Sequence, residues 1–131
     1  MSGQLATASE RLAAASLRPV ETDARARARL HLLDWLACVA GARASDVAGM
    51  ARAAEPDPLT RAALLGNLLE MDDVDRLGRL HPGPVIWPAA LSAAREAETT
   101  MAALLDGFVA GVEAMVGLGR TLDDHHYAFW H

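Results

Sequence analysis

The sequence contains no lysine, since all twelve of its basic residues are arginine. The chain therefore has no side-chain amine for a Schiff base or an ammonium proton donor. Its one cysteine, Cys38, cannot form a disulfide within the chain, so we expect a reducing, cytoplasmic location. A formal net charge of −5 disfavours nucleic-acid and anionic-membrane partners. No uninterrupted apolar run reaches the roughly 20 residues of a membrane helix, and no basic stretch precedes an apolar one as in a secretory signal.

Aromatic side chains are also scarce, because only six residues are Phe, Trp or Tyr, whereas 28 are alanine. Hydrophobic residues nevertheless make up 52% of the chain and charged residues 22%, a balance typical of a packed core and not of disorder. The length of 131 residues predicts a single domain over 1–131. A core rich in alanine requires its secondary-structure elements to approach one another closely.

Apolar residues recur at helical spacing, and no segment alternates as a strand does, so the sequence predicts an all-α fold, a helical bundle. Asp57-Pro58 is typical of an N-cap followed by the first residue of a helix, and Thr99 or Thr100 is expected to cap another. The predicted helices cover residues 4–17, 20–42, 45–55, 58–71 and 85–98, and a last one begins at 99 or 100.

Two residue pairs carry predictions about packing. Gly107 and Gly111 lie beside the apolar stripe of the last predicted helix, where the absence of a side chain would let a neighbouring helix approach closely. His31 and Asp34 lie three residues apart, a spacing at which two side chains share one face of a helix. We therefore expect His31 and Asp34 to form a structural pair.

Residues 70–75 carry four carboxylates at the end of a predicted helix, where the helix dipole favours cations instead. In a functional interpretation, one carboxylate and His81 form an acid–base pair, because an imidazole titrates near neutral pH. In the alternative, the segment is a solvated acidic loop with Arg76 and Arg79 as neighbours. A calcium loop is a third interpretation, but Leu77 occupies a ligand position and no glutamate follows at the required distance.

The C-terminal segment 123–131 contains three histidines, His125, His126 and His131, together with three aromatic residues. The histidine spacing matches neither a helical His-x-x-x-His site nor a zinc finger, so we expect no metal there. Aromatic segments of this kind are normally buried or functional, whereas free chain ends tend to fray. We therefore expect either that the chain is a fragment or that another polypeptide covers this end.

Three motifs occur in order along the middle of the chain: Ala-Ala-Leu-Leu-Gly-Asn-Leu-Leu-Glu-Met-Asp-Asp-Val at 62–74, Leu-His-Pro-Gly at 80–83 and Pro-Ala-Ala-Leu at 88–91. Together they resemble the MmgE/PrpD family, which includes methylcitrate dehydratase, cis-aconitate decarboxylase and iminodisuccinate epimerase. The most specific part is the acidic cluster that opens at Glu70, with the His-Pro-Gly motif at family-like spacing. The family's second helix, the helix after its His-Pro motif and its aromatic-His segment are similar to residues 32–41, 111–120 and 127–131.

The resemblance implies the N-terminal part of a large helical domain in a longer enzyme, a lyase or isomerase. Such enzymes transfer protons by acid–base catalysis next to a carboxylate, without a metal or an organic cofactor. Residue by residue, the resemblance makes Glu70, His81 and His131 the candidate catalytic residues. We expect Asp73, Arg76 and Arg79 to be candidate substrate-binding residues, with solvated positions as the alternative for both arginines.

The chain also departs from the family pattern at four positions, where it has Asn67, Val74, Asp75 and Gly117. The family's catalytic lysines would lie beyond residue 131. The first hypothesis is therefore the small N-terminal subunit of a split enzyme acting on a small carboxylate-bearing molecule. A second polypeptide would carry the rest of the fold. The alternatives are a catalytically inactive subunit that stabilises or regulates a partner, and a plain helical bundle related by ancestry only. The arginine-rich, lysine-free composition indicates a GC-rich bacterial genome, where duplicated metabolic enzymes are often recruited to specialised biosynthesis.

Overall fold

The computed structural model describes residues 7–46, 48–49, 57–122, 125 and 128. Within these residues it contains five helices and no strand, which confirms the predicted all-α fold. The helices are α1 (Ala8–Ser16), α2 (Thr22–Arg43), α3 (Pro58–Asn67), α4 (Pro82–Glu96) and α5 (Met101–Gly119). Most of the helix predicted over 45–55 lies outside the described residues.

Local caps explain where three of the helices begin. The Thr7 side chain accepts a hydrogen bond from the backbone N–H of Glu10, whose carboxylate accepts one from Thr7 in return. Asp57 caps α3 by accepting from the two backbone N–H groups that follow Pro58. Hydrogen bonding, chiefly from Thr60, holds the pKa of Asp57 below its usual range. Thr100 caps α5, so the starts predicted at Pro58 and after Thr100 are confirmed.

The loop between α3 and α4 is longer than predicted. Helix α3 ends at Asn67 instead of 71, because Glu70 adopts a left-handed backbone conformation with φ 52° that no helix can continue. Helix α4 begins at Pro82 instead of 85, because the first turn of a helix tolerates a proline that lacks an N–H. The segment 68–81, which we call the acidic loop, therefore lies between two fixed helix ends.

The core lies where α2, α3, α4 and α5 meet. Trp87 of α4 is fully buried and stacks on Phe108 of α5, with ring centroids 3.7 Å apart and planes 7° apart. A Cβ at Gly111 would lie 2.8 Å from Ile86 Cγ2, so the predicted close approach of a helix is confirmed there. The same prediction is wrong for Gly107, where a Cβ would meet none of the described atoms within 4 Å.

Two ion pairs connect α5 to the N-terminal half. Arg25 of α2 makes a bidentate contact with Asp106 of α5, at 2.5 and 2.8 Å. The hydrogen bond from Arg25 holds the pKa of Asp106 below its usual value. Arg18, after α1, lies 3.2 Å from Glu113 of α5. Helix α5 thus carries two charges that face arginines of other segments.

Helix α5 is the one described helix whose length and composition would suit a membrane span. Counting uninterrupted apolar residues gives no run of about 20, as expected, whereas averaging the hydropathy over the 19 residues of the helix does give a candidate. The difference arises because Asp106 and Glu113 interrupt the apolar run but do not cancel its average hydropathy. Core helices of soluble proteins meet the same criteria, and only 22% of the apolar stretch is buried within this chain.

Candidate acid–base site

The acidic loop folds back on itself through a short backbone bridge. The N–H of Asp75 donates to the carbonyl of Leu80 at 2.9 Å, and the N–H of Leu80 donates to the carbonyl of Asp75 at 3.3 Å. Within the turn, the N–H of Gly78 donates to Asp75 Oδ1 at 2.5 Å. Closing the turn in this way returns the chain to the start of the loop, and it places His81 beside the aspartates that precede Asp75.

His81 contacts the carboxylate of Asp72, with 2.9 Å between Nδ1 and Oδ2. Only 1% of the Asp72 side chain is exposed, against 29% for His81. Because a carboxylate can only accept, the proton of the neutral imidazole lies on Nδ1 and leaves Nε2 as the basic nitrogen. None of the hydrogen bonds among the described residues involves Nε2 of His81. Among the residues that the structure describes, the pair is therefore a carboxylate-oriented imidazole whose basic nitrogen has no hydrogen-bond partner.

Asn67, the last residue of α3, completes the surroundings of Asp72. Its Nδ2 lies 3.2 Å from Asp72 Oδ1 and 3.4 Å from Oδ2. A buried carboxylate without donors would be costly, and Asn67 together with His81 supplies them. The departure from the family pattern at Asn67 therefore has a structural role, because its amide donates to the carboxylate that holds His81.

The neighbouring aspartate, Asp73, accepts hydrogen bonds from different donors. Its Oδ2 lies 3.1 Å from Nδ1 of His31 in α2, and its Oδ1 accepts from the N–H of Gly83 at 2.8 Å. The His31 ring also lies 6.0 Å from that of Phe108, between centroids. The predicted pairing of His31 with Asp34 is wrong. Asp34 is exposed and solvated, whereas the Asp73 side chain is only 12% exposed and needs donors from the protein.

The candidate residues predicted from the sequence differ in their exposure and in their contacts. The carboxylate in contact with His81 is Asp72, whereas Glu70 is exposed at the start of the loop. Arg76 and Arg79 are exposed in the turn that the bridge closes. Both oxygens of Asp73 bind donors of this chain, and His131 lies outside the described residues. The catalytic and substrate-binding roles of these residues stay predictions.

Sequence reasoning did not identify Asp72 as the partner of His81. A signal was present, because Asp75, Arg76, Leu77 and Gly78 have the composition of a tight turn with an acidic first residue. Such a turn reverses the chain and brings the residues after it back toward those before it. That reversal favours Asp72 or Asp73 over Glu70 as the contact of His81.

Cys38 of α2 is buried near Asp72 and Asp73 of the acidic loop. Burial raises the pKa of its thiol, and the carboxylates of Asp34, Asp72 and Asp73 raise it further. The thiol therefore remains protonated at neutral pH. Among the described residues, no three or more His, Cys, Asp or Glu side chains are grouped so that they could hold a metal ion.

Comparison with known families places the site in a recognised domain. Residues 58–131 match the model of the MmgE/PrpD N-terminal domain. The match begins at the first residue of α3 and includes Asp72, Asp73 and His81, while α2 with His31 precedes it. Neither the curated proteins nor the solved structures give a significant match.

Proposed function

We propose, since this chain belongs to the MmgE/PrpD family, that it is the small N-terminal subunit of a split lyase or isomerase. In this proposal a second polypeptide carries the rest of the fold, and the assembled enzyme acts in the cytoplasm on a small carboxylate-bearing molecule. Catalysis proceeds by acid–base proton transfer without a cofactor. The contact between the buried Asp72 and His81 is the single observation that carries the proposal.

His81 acts as the base in the proposed reaction. Its Nε2 takes the proton from the carbon next to a substrate carboxylate, and the electron pair of the C–H bond moves toward that carboxylate. The imidazolium that forms is stabilised by the charge of Asp72, 2.9 Å away. Return of the proton to carbon completes an epimerisation. Alternatively, its delivery to a departing hydroxyl group releases water and completes a dehydration.

Other residues of the acidic loop have proposed roles around this pair. Glu70, exposed at the start of the loop, is proposed to face the substrate as a second acid or base, together with His131. Arg76 and Arg79 lie exposed in the turn, and their guanidinium groups suit bidentate binding of a substrate carboxylate. Asp73 would act through its contact with Gly83, while His31 holds it, and not through direct contact with the substrate.

Exposed apolar side chains support the proposal of a second polypeptide. Leu30 and Leu33 of α2 are 66% and 64% exposed, and Met71, Val74 and Leu77 of the acidic loop are 57–73% exposed. Clusters of exposed apolar residues are typical of interaction surfaces. At roughly 25 cal/mol per Å² of apolar area, an interface of the size common in obligate complexes, about 2,000 Å² or more, would strongly favour the assembled state.

A second candidate function is a catalytically inactive subunit that stabilises or regulates its partner. The observation in its favour is Val74, which is apolar and 57% exposed at a position where some members of the family use a polar residue. Under this alternative the Asp72–His81 contact is only structural. Substitution of His81 then affects the stability of the assembly but not its turnover.

Co-expression with the product of the adjacent reading frame tests the proposal. We expect a stable complex of the two polypeptides. In D₂O, this complex should replace a C–H proton of its substrate by deuterium. NMR measures this exchange over a panel of hydroxy- and amino-dicarboxylic and tricarboxylic acids. Epimerisation and reversible dehydration exchange the abstracted C–H proton with solvent, whereas a decarboxylation places a solvent deuteron on the carbon that loses CO₂, so NMR in D₂O detects all three. His81→Ala should slow it by a factor on the order of 100 or more, and Asp75→Asn in the same loop is the matched control.

Three results would decide against parts of this proposal. A chain that folds cooperatively as a monomer and binds no second polypeptide contradicts the split enzyme. A complex that exchanges no proton in any compound of the panel contradicts the reaction class. Full activity of the complex with His81→Ala favours the inactive subunit.

A further inference from the structure

Two adjacent aspartates of the acidic loop hold His81 and the residues after it from different sides. Asp72 contacts the imidazole ring of His81 itself. Asp73 accepts from the backbone N–H of Gly83, two residues after His81, and contacts the imidazole of His31 with its other oxygen. The two carboxylates thus face different partners, although they are neighbours in the sequence.

The contact of Asp73 with Gly83 closes the N-terminus of α4. His81 is the N-cap residue of that helix, but its side chain makes no capping hydrogen bond. Pro82 and Pro84 have no N–H, so Gly83 supplies the one backbone donor among the first three residues of the helix. A carboxylate at this end is also favoured by the helix dipole. Asp73 therefore caps α4 from a position ten residues earlier in the chain.

The side chain that contacts the other oxygen of Asp73 is His31, which belongs to a different helix. His31 projects from α2 and reaches Asp73 across 42 residues of sequence. Helix α2 is anchored independently to α5 by the bidentate contact between Arg25 and Asp106. His31 therefore links the end of α4 that carries His81 to a helix that also contacts α5 directly.

We propose that Asp73 is a positioning residue for His81, and that His31 fixes Asp73 in the position from which it caps α4. Asp72 orients the imidazole ring, while Asp73 sets the backbone that carries the ring. This inference rests on the proposed function, because positioning matters for catalysis only if His81 transfers a proton. In kinetic terms, a misplaced His81 lowers kcat and leaves KM nearly unchanged, because binding does not depend on the angle of proton transfer.

The test combines NMR of the imidazole rings with kinetics, on the purified full-length chain in the assembly in which it occurs. Ring ¹⁵N shifts of labelled histidine report which nitrogen carries the proton. Wild-type His81 should carry it on Nδ1. His31→Ala removes one donor of Asp73, and Asp73→Ala removes both contacts of that carboxylate. The matched control is Asp34→Ala, three residues from His31 on the same helix and exposed.

We expect both substitutions to shift a substantial share of the His81 proton to Nε2 and to lower kcat about tenfold, with KM within about twofold. Asp34→Ala should leave the ring shifts and kcat unchanged. Unchanged His81 shifts in His31→Ala and Asp73→Ala would overturn the inference. Because His31 is 47% exposed, its replacement keeps the test decisive even if Asp73→Ala does not fold. The ring shifts need no substrate, so altered shifts without detectable turnover would contradict the proposed function alone.

Discussion

The Oδ2 of Asp72 lies 2.9 Å from Nδ1 of His81, and the carboxylate is the buried member of the pair, with 1% of its side chain exposed against 29% for the imidazole. The imidazole is therefore the member of the pair that solvent can reach. The carboxylate is enclosed by Asn67 and His81, whereas the imidazole ring is partly exposed. A base oriented by a buried carboxylate keeps one tautomer without any rearrangement when the substrate binds.

The first prediction concerns the charge of Asp72. Asp72→Asn keeps the size of the side chain but removes the negative charge that stabilises the imidazolium, so kcat should fall by a factor on the order of 100. Deuterium exchange into the substrate, followed by NMR, measures the effect. Asp75→Asn removes a charge from the same loop but keeps an Oδ1 that can accept from the N–H of Gly78, so it should retain nearly full turnover. Equal kcat in the two variants would show that the charge of Asp72 has no role in the reaction.

The second prediction concerns the space at Gly83. A Cβ there would lie 2.5 Å from Asp73 Oδ1, so the cap of α4 must shift. We expect Gly83→Ala to lower the free energy of unfolding by about 1–3 kcal/mol, as overpacking commonly does. Gly107→Ala is the matched control, because a Cβ at that exposed helical position meets none of the described atoms. It should raise the free energy of unfolding by up to about 1 kcal/mol. Denaturant titration measures both, and the same sign in both variants would contradict the described packing.

The third prediction concerns pH and the contact between Arg25 and Asp106. The pKa of Asp106 is lowered in the folded state, so the contact stabilises the protein fully above the pKa of an unfolded aspartate, about 3.9, and less as the pH falls through the folded value. Because the two side chains are 36% and 34% exposed, solvent screens the pair. We expect Asp106→Asn to cost about 0.5–1 kcal/mol at neutral pH.

Thermal unfolding from neutral pH down to about pH 3, below the usual range of an aspartate, measures this difference. The gap between wild type and Asp106→Asn should shrink along the acid limb. Glu113→Gln is the control on the same helix, since Arg18 and Glu113 are 67% and 58% exposed and such pairs contribute little. A gap that widens on acidification would contradict the assigned sign.

Parts of this fold could be predicted because they depend on local chemistry. Asp57 before Pro58 and Thr100 before an apolar stripe specify helix starts through hydrogen bonds within three residues, so the sequence alone indicates them. The end of α3 is different, because the sequence predicts it at residue 71 and the helix ends at Asn67. Apolar residues continue through Met71 with helical spacing, and the left-handed backbone of Glu70 that stops the helix has no signal in the pattern.

The contacts of the candidate site depend instead on long-range packing. Local spacing favoured Asp34 as the partner of His31, but the buried Asp73 is 42 residues away and requires a donor more strongly. The family motif makes Glu70 and His81 candidates together. The turn closed at Asp75 instead brings Asp72 to the imidazole ring of His81. Sequence thus located the loop and its histidine but not which carboxylate each histidine contacts.

The last prediction concerns Glu70, whose proposed catalytic role depends on the family resemblance and not on a contact with His81. Its carboxylate is exposed, and its backbone has φ 52° just after a helix end. Glu98 offers a matched control, because it is also exposed, follows the end of α4 and has φ 47°. Replacing either by glutamine removes one charge from the same kind of position, so their effects on stability should be equal and small.

Their effects on turnover should differ. If Glu70 donates or accepts a proton in the assembled pocket, Glu70→Gln lowers kcat by a factor on the order of 100, whereas Glu98→Gln leaves it unchanged. Kinetics of the assembled enzyme with both variants measure this, and thermal unfolding checks that stability is matched. Full turnover in Glu70→Gln would remove Glu70 from the mechanism. The proton transfer would then be left to the imidazole of His81 that Asp72 holds.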